Sequence, residues 1–189
     1  MTNPSIDVTR APQQRFAGTL HAAVSALALG ALSTFGDWLW THYIPDGAIV
    51  PGVAHGVIVF LVMACLLAWA GRAWVPTLLV GLPIAGAVIA ALFYPLYAVL
   101  GYLGALLVTW IAMWLVTALL QRRARGNRES LRRTLVRGGL AALGSGLAFA
   151  AIAGIWTNPS PDGPNYLWHF VCWSFAFAPG FAALLVDPR

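Results

Sequence analysis

Apolar residues run in blocks of roughly twenty along nearly the whole chain, each about the length an α-helix needs to cross a ~30 Å hydrocarbon core. The breaks between blocks collect the charges, histidines and turn residues. This pattern predicts an all-α, polytopic membrane bundle of six helices, at about 16–40, 51–70, 74–94, 96–120, 134–156 and 166–186. They form one transmembrane domain, 16–189, with no soluble domain. Residues 1–15 have prolines and glutamines without an apolar period and predict a leader that is disordered or lies on the surface. A cleaved signal peptide is the competing reading of the first block; its length, and Trp38 and Trp40 at its end, favour a membrane anchor. From Trp74 to Leu120 the apolar character is unbroken and long enough for two spans. The break is predicted at Tyr94-Pro95, because proline disfavours helix at the residue before it.

Composition excludes a water-soluble fold: of 189 residues 60% are hydrophobic and 9% charged, too few to cover a solvated surface. The net charge of +5 would suggest nucleic acid in a soluble protein. Here every basic residue is Arg and lies beside a helix end, and the Arg-rich segment has no interleaved aromatics for base stacking, so no nucleic-acid partner is expected. When six spans alternate, Arg10, Arg15, Arg72, the 121–137 segment and Arg189 fall on one side. The other side has only Asp46 and Asp162 in its loops. The positive-inside rule then puts both termini and the Arg122–Arg137 loop in the cytoplasm, and the stretch 35–56, FGDWLWTHYIPDGAIVPGVAHG, on the outer face. Arg-only basic usage and abundant Ala point to a GC-rich bacterial genome, hence to the inner membrane. The Arg122–Arg137 loop must lie in water. It serves topology alone, or also holds anionic lipid headgroups at about 1 kcal/mol per basic residue.

Candidate chemistry gathers on the outer side. Asp37 precedes the end of the first helix by about one turn and His55 follows the start of the second by about one turn, so a short hairpin could bring them together. His42, Asp46, Asp162 and His169 are expected nearby, and the sequence permits one cluster. A carboxylate beside an imidazole can orient a general base, ligate a metal, grip a polar headgroup, or simply pair and stabilise the hairpin. No HExxH or comparable ligand spacing is present, so neither a metal nor a cofactor is expected. His21 is expected to be an interfacial polar residue, and Cys65 and Cys172 to be buried thiols without a disulfide.

Deeper in the bundle, Pro83 and Pro179 interrupt the third and sixth helices and free the carbonyls of Leu79 and Phe175. These are ordinary kinks satisfied by neighbours, or walls of a cavity. Trp110 and Trp114 stand one turn apart and, with Trp173, Phe175 and Phe177, wall an apolar pocket or fill an aromatic core. Small residues repeat every four positions at Gly138, Ala142, Gly146, Ala150 and Gly154, and at Ala22, Ala26, Gly30 and Thr34. Such ridges let helices approach closely, within the chain or in a homo-oligomer.

The run Ser160-Pro161-Asp162, then Tyr166, Trp168, Cys172 and the aromatic stretch to Gly180, resembles the C-terminal region of the Insig family. There a Ser-Pro-Asp loop leads into a final helix with a Trp-Pro-Cys step; here Val171 precedes Cys172. The overall plan of six helices, cytoplasmic termini and a charged loop between helices four and five is also similar. No counterpart is found of the acidic segment that eukaryotic members use for partner binding. The resemblance implies a non-enzymatic bundle whose lipid-accessible cavity binds a sterol or a diacylglycerol-like lipid.

The first reading is therefore a lipid-binding sensor or regulatory subunit. Its ligand would meet Asp37, His55, Pro83, Trp110, Trp114, His169, Trp173 and Phe177. The alternatives are an outer-leaflet membrane enzyme using Asp37, His42, His55 and His169, and a small transporter, for which neither an inverted repeat nor a membrane-centre charge is evident.

Overall fold

The computed structural model describes residues 10–45, 48–71, 76–156 and 165–186. The expectations placed on the leader before Arg10, on Asp46, Arg72, Trp74, the Ser160-Pro161-Asp162 motif and Arg189 lie outside the described residues. Five helices account for nearly all of the rest: α1 (Arg10–Tyr43), α2 (Ile49–Gly71), α3 (Pro76–Ala124), α4 (Leu131–Trp156) and α5 (Tyr166–Leu185). Four segments are long and apolar enough to cross a membrane: Phe16–Tyr43, Ile49–Gly71, Pro76–Ala124 and Tyr166–Leu185. These four candidate spans make a multi-pass architecture. α4 is apolar only after its first two turns, which carry Arg132, Arg133 and Arg137. The first helix begins at Arg10, ahead of the predicted start at 16.

The 49 residues of α3 would reach roughly 70 Å as one straight helix, at 1.5 Å per residue. They fold back instead. A Cβ built on Gly81 would lie 3.1 Å from Leu120 Cδ2, which only a reversal between them permits. The reversal is at Gly101, with φ 70° and ψ 178°, giving arms 76–100 and 102–124. This corrects the predicted break at Tyr94-Pro95: the helix runs through Pro95, which bends a helix without having to end it. Positive φ with an extended ψ is a region that essentially only glycine adopts, and holding another residue there costs about 1–3 kcal/mol. Gly101→Val is expected to lower bundle stability by about that much, read as a drop in the unfolding midpoint in detergent; an unchanged midpoint would mean that the turn tolerates another backbone geometry.

The arginine segment is mostly helix, which corrects the expected loop of 122–137. α3 ends in a Schellman arrangement in which Asn127 N–H donates to Arg122 O and Gly126 N–H to Arg123 O, at 3.0 Å each, with Gly126 at φ 70°. Only 125–130 lie between helices. At this end Arg137 reaches from α4 to α5, donating through Nε to Ala183 O at 3.0 Å and also to Leu184 O. It thereby caps carbonyls that the last turn of α5 leaves open.

Packing follows the small residues. α1 lies against α5, where a Cβ on Gly30 would come within 3.0 Å of Ser174 Cα. α2 crosses the first arm of α3 through facing glycines: a Cβ on Gly86 would lie 2.7 Å from Gly56 O. On α4, Gly138 meets Ala118 and Gly146 meets Trp110, so the ridges predicted from sequence close contacts inside the chain. α4 also packs on Pro179, where a Cβ on Gly144 would lie 3.1 Å from its ring, and Ser145 Oγ donates to Ala176 O. Cys172 is buried but Cys65 is exposed, and neither is in a disulfide; the expectation of a buried Cys65 is corrected, because it lies on the outward face of α2.

Candidate functional site

Asp37 is one turn and a half from the end of α1, opposite the first two turns of α5. His169 and Trp173 stand four residues apart on α5 and so share a face. Trp173 Nε1 donates to Asp37 Oδ2 at 2.7 Å, and His169 Nδ1 lies 3.2 Å from the same oxygen. The start of α5 is fixed by Asn165, whose side-chain oxygen accepts from Trp168 N at 3.1 Å.

His55 is not the partner of Asp37. Its imidazole packs on Gly36, where a built Cβ would lie 2.8 Å from Nδ1. Consecutive helix positions point about 100° apart, so the residue that faces α2 is Gly36, and Asp37 is turned toward α5. Among the described residues the His55 ring has no hydrogen bond or ion pair. The single cluster that the sequence permits is thus divided: Asp37 and His169 form one pair, and His55 faces a cavity. His42 is exposed, with Nδ1 2.8 Å from Trp38 O and its ring 6.3 Å from that of Tyr166. No group of three metal-ligating side chains occurs among the described residues. His21 is at the opposite end of the bundle, edge-on to Trp69 at 4.4 Å.

The cavity that His55 faces has a volume of about 650 Å³. Its walls come from α1, α2, both arms of α3, and α5. One side is a stack of rings: Trp110 lies 6.2 Å from Trp173 and 5.4 Å from Phe177, with planes 18° and 27° apart. Glycines 56 and 86, at the close crossing of α2 and the first arm of α3, are also in the lining. Toward the Gly101 end the wall is Phe93, Tyr94, Tyr97 and Tyr102. Tyr94 Oη donates to Ala48 O at 3.1 Å, tying the α1–α2 connection to α3. Because Trp173 is both a wall residue and the donor to Asp37, the polar pair and the apolar space share one side chain. No family model, curated protein or solved structure matches this chain.

The chemistry of the site thus rests on its own residues. Of those proposed from sequence, His55, Trp110, Trp173 and Phe177 line the cavity, while Asp37 and His169 join it through Trp173. Trp114 and Pro83 are not among the lining residues. Trp114 has no exposed surface and packs perpendicular to Phe181 at 5.5 Å, one helical turn beyond the cavity, as core. Pro83, half-buried one turn before Gly86, does not reach the lining. Sequence reasoning missed the tyrosines. The density of rings around Pro95 was the available signal, and it was read there as a turn between spans. In chemical terms the site offers an apolar cavity with the His55 imidazole and phenolic hydroxyls in its lining, and the Asp37–His169 pair behind Trp173. The indole N–H of Trp110 is buried with no acceptor among the described residues.

Proposed function

We propose that this chain is a six-span bundle of the bacterial inner membrane, with both termini in the cytoplasm, that binds an amphiphilic lipid without transforming it. The arms of α3 and the helix α4 supply the spans beyond those evident from length and hydropathy. The observation that carries this reading is the cavity of about 650 Å³, walled by aromatic and small residues and joined at one end to Asp37 through Trp173. An apolar body fits such a slot, and a hydroxyl or amine fits its polar end, as in a sterol or a diacylglycerol-like lipid. The resemblance of the 160–180 region to Insig proteins points to the same ligand class.

Native mass spectrometry of protein extracted in mild detergent tests this directly. A discrete lipid mass that survives collisional activation is the expected result; a bare protein from several mild extractions would sink the reading. Thr109→Trp provides the matched control. Thr109 lines the cavity, and its hydroxyl bonds only to carbonyls of its own helix, Ala105 and Leu106. The larger ring is expected to abolish lipid retention while the unfolding midpoint stays within a few degrees. Retention at the parental level would place the lipid elsewhere.

A second reading is favoured by one contact. A carboxylate that orients an imidazole, as Asp37 does His169 at 3.2 Å, is the arrangement of a general base, and would suit an enzyme acting on outer-leaflet lipids. Turnover of a lipid substrate that is lost in His169→Asn, with lipid binding retained, would select it over the first.

A further inference from the structure

Most polar side chains in the lining of the aromatic cavity are engaged elsewhere. Thr109 donates to Ala105 O and Leu106 O in its own helix, Tyr94 to Ala48 O, and Trp173 to Asp37. Trp40, Tyr97 and Tyr102 are partly exposed, where water and headgroups can serve them. Ser33 differs. It is 2% exposed and belongs to the lining, yet its hydroxyl has no hydrogen bond among the described residues.

A serine or threonine inside a helix commonly returns its hydrogen bond to the carbonyl four residues back. Thr34 and Thr117 do so, to Gly30 O at 2.8 Å and Met113 O at 2.7 Å. Ser33, beside Thr34, does not. The unpaired hydroxyls of Ser25 and Ser174 are enclosed by packed atoms; that of Ser33 is not enclosed, and the residue keeps its small exposed surface in the cavity lining. Its neighbour on that wall is His55. Positions 33 and 36 of α1 share a face and the His55 ring packs on Gly36, so the hydroxyl lies about one helical turn deeper than the imidazole. The ring also has no hydrogen bond or ion pair among the described residues. Two groups able to donate and accept thus stand unpaired on one wall of an apolar space.

We propose that Ser33 and His55 form a subsite for an uncharged hydroxyl of the bound lipid. The inference rests on the lipid reading above and adds which group of the ligand is recognised, and by what. One hydroxyl both donates and accepts, so it satisfies a serine and a neutral imidazole at once. Two hydrogen bonds through one oxygen span roughly 5–6 Å, about the rise of one helical turn. A polar group buried without a partner carries a cost, and a ligand that supplies the partner recovers it. A carboxylate head would enter without a counter-charge, because the chain has no Lys and no Arg is in the lining; an unpaired buried charge costs far more than an unpaired hydroxyl. An ammonium would need Asp37, whose Oδ2 is already shared by Trp173 and His169.

Native mass spectrometry of the full-length protein in mild detergent tests the subsite with two pairs of probes: dioctanoylglycerol against the dioctanoate of propanediol, and cholesterol against cholestene. Within each pair the second molecule is the first without its hydroxyl. The wild type is expected to retain the hydroxyl member of the pair that fits at least about 10-fold better. Ser33→Ala should cut that preference roughly 3- to 10-fold while the unfolding midpoint holds or rises, since the hydroxyl removed has no partner to lose. His55→Phe keeps a ring on Gly36 and should cut it by a similar factor; if that variant does not assemble, Ser33→Ala decides alone. Equal retention within a pair, or a preference unchanged in Ser33→Ala, would overturn the subsite and leave a cavity that selects apolar shape only. A lower midpoint in Ser33→Ala at unchanged preference would give the hydroxyl a structural role instead. Retention of none of the four would remove the lipid reading itself, and the subsite with it.

Discussion

Asp37→Asn is expected to weaken retention of a bound amphiphile by roughly 5- to 10-fold while the helices stay assembled. The variant keeps an oxygen where Trp173 Nε1 now donates at 2.7 Å, so the α1–α5 contact persists with a neutral acceptor. What is lost is the charge. A hydrogen bond to an ionised group contributes about 1.5–3 kcal/mol and a neutral one about 0.5–1.5, and the difference of about 1–1.5 kcal/mol sets the expected factor. Asp37→Ala goes further: it removes the acceptor and leaves the indole N–H and the His169 ring without that oxygen, so it should also lower the unfolding midpoint. Lipid occupancy in native spectra, with the midpoint measured on the same samples, separates the two variants. Equal occupancy in wild type and Asp37→Asn would remove Asp37 from the ligand's polar contacts and leave it a bridge between helices.

The second large effect belongs to the core behind the cavity. Gly180→Ala is expected to destabilise the bundle by about 2–3 kcal/mol, although alanine is the better helix former by about 1 kcal/mol. The added methyl would collide with the six-membered ring of the Trp114 indole, and that ring cannot yield. Trp114 is fully buried, with Phe181 against it at 5.5 Å and Phe177 at 6.5 Å. Trp114→Phe removes the part of the side chain that Gly180 accommodates. In that background Gly180→Ala should cost less than about 1 kcal/mol, and a double-mutant cycle should give a coupling of at least about 1 kcal/mol. Additive losses would show that the glycine serves the bend at Pro179, its neighbour in sequence, and not the indole.

Much of the architecture was legible because a membrane segment must be apolar over a set length, and that signal does not depend on tertiary detail. The starts of α2 and α5 fall within two residues of expectation. The reversal within α3 was misplaced because Pro95 is visible as a residue type, whereas a positive φ is a property of place. Nothing in the sequence separates Gly101 from the glycines that merely permit close packing. The partner of Asp37 was missed for a related reason. Proximity in the hairpin suggested His55, but the rotation of α1 decides the matter, and Gly36 takes the position facing α2. Trp110, Trp173 and Phe177 were found together because they recur at helical spacing on two helices. Their turning toward a space, while Trp114 turns to solid core, depends on how the second arm of α3 sits against α5.

The reversal at Gly101 has a bearing on how the chain enters a bilayer. Between Pro76 and Gln121 there is no Asp, Glu, Lys, Arg or His, and the turn joining the arms is flanked by Tyr97 and Tyr102, both about half exposed. Most helix pairs must carry a polar connection across the hydrocarbon, and that translocation is a separate, costly event. Here the two arms share no such cargo. In the six-span arrangement proposed above, the two arms would partition from the insertion machinery as one folded hairpin, with the tyrosines halting its tip at the far headgroup layer and the first positive charges, Arg122 and Arg123, holding its tail.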